Sequence, residues 1–151
     1  MTEFPPIDEP ATLAVNEVIA QCENSGRLFR TALEACDDET FQPLLRQGCE
    51  SSDRVAEALR EGLIGTAGEA TGEGTAKGFV RRIRENIGQR AGWRGRGELM
   101  DAILAQQNRV LTAFDHATET AAGTRLGPIL AAKRAVVSGL TAQLEAMAAA
   151  L

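Results

Sequence analysis

The sequence predicts an all-α protein, a four-helix bundle made of two antiparallel hairpins joined by a long crossover. Three observations carry that prediction. Apolar residues recur in alternating steps of three and four along four separate stretches, the spacing of one buried helix face. Alanine, leucine and charged residues dominate and tyrosine is absent, which favours helix over sheet. Between the second and third stretches, Gly65 to Gly97 runs first as a glycine string and then as an arginine string with the only tryptophan, Trp93.

The chain has 151 residues, the size of one domain with a real core. Residues 1–9 read as a flexible N-terminal arm and 10–151 as a single bundle domain. Helix 1 is expected over 10–36. Asp8 or Glu9 precedes Pro10, and proline fits a first helical turn. Its stripe is Val15, Val18, Cys22, Gly26, Phe29, Leu33 and Cys36, with Glu17, Gln21, Asn24 and Arg27 opposite.

An acidic turn, Asp37 to Thr40, follows, and Thr40 is the expected N-cap of helix 2. Helix 2, over 41–64, carries Phe41, Leu45, Gly48, Ser52, Val55, Leu59 and Gly62. So short a turn makes helices 1 and 2 antiparallel neighbours. That register separates Cys22 and Cys49 by roughly 9 Å along the axis, too far for a disulfide.

The crossover is expected over 65–97. Five glycines from Gly65 to Gly78 do not hold a helix. Phe79, Val80, Ile83 and Ile87 recur at helical spacing, which predicts a short amphipathic helix with arginines on its outer side. Helix 3, over 98–122, has the stripe Met100, Ile103, Gln107, Val110, Phe114, Ala117 and Ala121. Gly123 is the expected stop and Thr124 a cap. Helix 4, over 128–150, starts near Pro128. It carries Leu130, Lys133, Val137, Leu140, Leu144, Met147 and Leu151 and ends in an alanine-rich tail. Two short turns and one crossover of some thirty residues give a ferritin-like topology rather than simple up-down-up-down.

The chain resembles a bacterial family of ferritin-like four-helix bundles of unknown function. The likeness runs from about Ala11 to Leu151. It rests on Asn16-Glu17-Val18-Ile19-Ala20-Gln21-Cys22-Glu23, on the Gly-rich crossover reaching Arg90 to Trp93, and on Ile103 to Ala117 around Leu111 and Phe114. The resemblance implies a self-associating bundle and brings no established reaction.

A ferritin-like bundle raises the question of a di-iron site. That chemistry takes a Glu from each of two helices and Glu-x-x-His from each of the other two. The chain has one histidine, His116, and Ala113 stands three residues before it. Glu23 and Glu50 flank the stripes and are the weak metal candidates, with Glu34 beside them. Their alternative reading is as solvated surface carboxylates. Gln107 and Lys133 are the polar interruptions, read as a cross-bundle hydrogen bond and a snorkelling side chain. No catalytic residue and no cofactor is expected. Cys22, Cys36 and Cys49 lie on or beside packed stripes, away from the lone histidine, and read as core thiols.

Charge is segregated. Net charge is −5, yet Lys77 to Arg96 holds seven basic residues against Glu85, a local +6 that leaves −11 elsewhere. Arg81, Arg82, Arg84, Arg90, Trp93, Arg94 and Arg96 are therefore the candidate interaction residues. They point to a homo-oligomer or an acidic protein partner. Nucleic acid is the weaker partner, because the whole chain is acidic. No run of about 18 apolar residues predicts a membrane span. The acidic, proline-bearing start lacks the pattern of a signal peptide. The expected location is the cytoplasm.

Overall fold

The computed structural model of this protein describes residues 6–36, 38–64 and 96–150. Within them the chain forms four α-helices and no strand. They are α1 (Glu9–Ala35), α2 (Gln42–Gly62), α3 (Arg96–Thr120) and α4 (Leu126–Ala149). Each boundary falls within two residues of its expected place. Arg96 and Gly97, assigned to the crossover by sequence, are the first residues of α3. Gly97 has open space where a Cβ would stand, so nothing crowds this first turn. The predicted short helix around Phe79 to Ile87 lies outside the described residues.

The helix ends follow local chemistry. The Asp8 side chain accepts the Ala11 N–H at 2.9 Å and caps α1, with Pro10 in the first turn. The turn into α2 is organised by Asp38 rather than by Thr40. Asp38 Oδ1 accepts the Thr40 N–H at 2.8 Å, and the Asp38 carbonyl accepts the N–H groups of Phe41 and Gln42. The side chain two residues earlier thus closes the turn, and Phe41 stands at the N-cap without a side-chain cap bond. Gly123 adopts φ +81°, the left-handed conformation glycine tolerates without strain. Thr124 Oγ1 donates to the Ala121 carbonyl at 2.7 Å and accepts the Leu126 N–H at 3.2 Å. It ties the two helices of this hairpin together.

The helices form a square. α1 packs against α2 and α3, and α4 packs against α2 and α3. The two diagonals, α1 with α4 and α2 with α3, have no close backbone approach among the described residues. Two apolar clusters fix the directions. One joins Val15 and Val18 of α1, Val55 and Leu59 of α2, Phe114 and Ala117 of α3, and Leu126 and Leu130 of α4. The other joins Phe29 and Ala32, Phe41 and Leu45, Met100 and Ile103, and Leu140 and Leu144. α1 and α4 therefore run one way, and α2 and α3 the other. α2 ends at the first cluster and α3 begins at the second. The chain between Ile64 and Arg96 thus links opposite ends of the bundle across a diagonal.

The predicted stripes are the buried faces. Every residue of the α3 stripe, from Met100 to Ala121, is buried, as is every residue of the α2 stripe from Phe41 to Gly62. In α1, Val15 to Phe29 are buried while Leu33 and Cys36 are half-buried. Asn24, expected on the outer face, is buried as well. α1 has two helical neighbours, so its buried arc is wider than one stripe. Among the described residues no helix is long and apolar enough to cross a membrane.

Candidate functional site

The bundle narrows to a neutral polar waist between the two apolar clusters. Cys22 and Ser25 of α1, Ser52 of α2 and Gln107 of α3 line a cavity of about 10 Å³ there, room for about one water molecule. Gln107 Nε2 donates to Thr141 Oγ1 of α4 at 3.3 Å, and that hydroxyl donates to the Val137 carbonyl at 2.8 Å. The Ser25 hydroxyl and Asn24 Oδ1 are buried without a hydrogen-bond partner among the described residues. Burial pushes the Cys22 thiol up to about 12, because removal from water disfavours the thiolate. Cys22 is therefore a packed thiol, not a nucleophile poised at neutral pH. Cys49 is also raised, chiefly by burial. All three cysteines are free, in keeping with the register argument.

Among the described residues no carboxylate lines the waist. Neither Glu23 nor Glu50 lines it. Glu23 sits on the α1–α2 seam and forms an ion pair with Arg60. Glu50 and Glu34 are exposed on α2 and α1. The register places these carboxylates outward because the inward positions of both helices are held by the stripe. Among the described residues no cluster of three or more His, Cys, Asp or Glu forms a metal-type group. Lys133 is half-buried, its place on the flank of α4 rather than its centre.

A second concavity lies outside, in the groove between α1 and α3. It has a volume of about 460 Å³ and is walled by Glu17, Gln21, Asn108, Arg109, Thr112 and His116. His116 is exposed, on the shoulder of the bundle. Gln106, buried beneath the groove, donates through Nε2 to the Gln21 carbonyl at 3.1 Å and to Gln21 Oε1 at 3.0 Å. That bond fastens α3 to α1. The Thr112 hydroxyl donates to the Asn108 carbonyl. The groove offers hydrogen-bond donors and acceptors but no nucleophile held against a base. Sequence spacing misses both Gln106 and the groove, because each is made where two helix surfaces meet.

The candidate interaction residues Arg81, Arg82, Arg84, Arg90, Trp93 and Arg94 lie outside the described residues. Arg96 opens α3. Residues 6–36, 38–64 and 96–150 carry sixteen Asp and Glu against ten Lys and Arg. No Asp, Glu, Lys, Arg or His whose side chain is described is buried. Ion pairs among the described residues bridge neighbouring helices, as Arg30 does with Asp53, Arg60 with Glu23 and Arg134 with Asp115.

Comparison of the chain with protein-family models, with curated proteins and with solved structures finds no match.

Proposed function

We propose that this protein is a non-catalytic, ferritin-like helical bundle that acts through its surface, by self-association or by docking an acidic protein partner. The ferritin-like reading is supported by the helix order. Two antiparallel hairpins with a lengthwise diagonal crossover are the ferritin-like arrangement of four helices.

The observation that carries the functional reading is the placement of charge. The described acidic and basic side chains of the helices stay at or near the surface, with an excess of carboxylates. The basic residues from Lys77 to Arg94 stand in one segment between α2 and α3. Opposite fields on one chain favour contact between copies, or with a partner that competes for the same arginines. The waist, by contrast, is lined by neutral groups suited to fixing helix register.

Replacing Arg81, Arg82 and Arg84 together by Glu tests the reading. The expected result is a changed assembly mass or a lost partner, read by light scattering and affinity capture. An unchanged mass and an unchanged partner set overturn it.

A further inference from the structure

We infer that α4 pairs with α4 of a second copy, antiparallel, about a two-fold axis near residue 140. The inference rests on the self-association reading and adds to it an interface apart from the crossover arginines.

α4 buries one side of itself, Leu126, Leu130, Val137, Leu140, Thr141 and Leu144. Its opposite side is not the charged face expected of a helix meeting water. Ala132, Ala135, Gly139, Ala142, Ala146 and Ala149 follow one another in steps of three and four, and all are exposed. Val136 beside them is 48% exposed. A Cβ at Gly139 would meet nothing within 4 Å, so this face is open at its middle. Among the described residues no helix covers it, because the two neighbours of α4 lie on its buried side.

Charge selects the occupant. Arg134 and Glu145 lie on the same flank of this face, one in each half of the helix. A parallel copy sets the two flanks on opposite sides of the seam, so that neither Arg134 nor Glu145 meets a charged partner there. An antiparallel copy sets each Arg134 within about two residues, or about 3 Å along the axis, of Glu145 of the other copy. Arg134 is already held on that flank by Asp115, which takes its Nε at 2.7 Å. Its terminal nitrogens have donors to offer a second carboxylate. The small residues let the helices approach to about 8 Å. In this register Ala132 meets Ala149, Ala135 meets Ala146, and Gly139 meets Ala142 of the other copy. The face is thus complementary to itself in both shape and charge, as a two-fold interface must be.

The test uses the full chain. The wild type should sediment as a dimer, and Ala142→Arg, on an exposed face, should sediment as a monomer with unchanged helix content. Ala135→Cys and Ala146→Cys chains, mixed and oxidised, should cross-link to each other well above the wild-type background, while neither variant cross-links to itself. Ala135→Cys cross-linking to itself would mean a parallel pair and would overturn the register. A dimer that survives Ala142→Arg but is lost in the Arg81, Arg82 and Arg84 variant would overturn the α4 interface and leave self-association standing. A wild type that stays monomeric would overturn both, leaving the face for a different protein.

Discussion

The aromatic ring of Phe29 lies directly on the bare Cα of Gly48. A Cβ added to Gly48 would stand 2.4 Å from Cε1 of that ring, well inside contact distance. The α1–α2 pairing is set by this close approach. Gly26, one helical turn away on α1, differs. A Cβ there would come no nearer than 3.3 Å to Asp53 Oδ1 and 3.4 Å to Ser52 Cβ.

The two glycines should therefore respond in opposite ways. Replacing a helical glycine by alanine gains about 1 kcal/mol of helix propensity. At Gly48 the buried ring must shift, at about 1–3 kcal/mol. Gly48→Ala should lower stability by roughly 1 kcal/mol net. Gly26→Ala should be neutral or mildly stabilising. Urea midpoints at constant slope distinguish them. Equal midpoints would mean that Phe29 is not confined as described.

The waist bond between Gln107 and Thr141 should show its value only when halved. Gln107→Ala leaves the Thr141 hydroxyl short of a donor and opens space, for a loss of about 2 kcal/mol. Thr141→Val alone strands the Gln107 amide in a buried layer, at about 1–3 kcal/mol. Gln107→Leu with Thr141→Val removes both partners and should recover much of that loss. A double-mutant cycle of urea melts reads the coupling, and strictly additive losses would remove the waist bond from the account.

Cys22 gives a pH dependence with a definite sign. Its thiol is neutral in both states below pH 9.0, and its folded value stands near 12. As pH rises past 9.0, the unfolded chain ionises first. The unfolded state then binds fewer protons, so stability falls by about 1.4 kcal/mol per pH unit through this window. Cys22→Ala should flatten that part of the profile, whatever it does to the overall level. In the native protein a thiol reagent should label Cys36 and Cys49, which are half-buried, and reach Cys22 only on unfolding.

The ion pair of Arg30 with Asp53 joins two side chains more than half exposed. Such pairs contribute little. Asp53→Asn should shift stability by less than about 1 kcal/mol, measured by thermal melting at low and high salt. A large, salt-insensitive loss would place this pair in the load of the fold.

The four helices were legible because their stripes repeat in threes and fours, and Met100 to Ala121 is buried residue for residue. The second hairpin turn was legible through Gly123, and the starts of α1 and α4 through Pro10 and Pro128. What spacing cannot supply is the second neighbour of each helix. Asn24 and Gln106 fall off the main stripes and are buried because α1 and α3 each touch two helices. Thr40 follows the usual N-cap preference, yet the competing side chain of Asp38 closes that turn. The square order, with α2 and α3 on a diagonal, depends on how whole faces mesh and has no signal in any single stretch. The outer face of α4 did leave a trace, the alanine-rich tail, but alanine alone marks helix without saying what it meets.

Sedimentation velocity of the full chain across micromolar concentrations tests the central claim most directly. A surface that acts by self-association predicts a species of twice the 16.1 kDa chain mass, growing with concentration and weakened by salt. A single 16.1 kDa species at every concentration and salt level would contradict it.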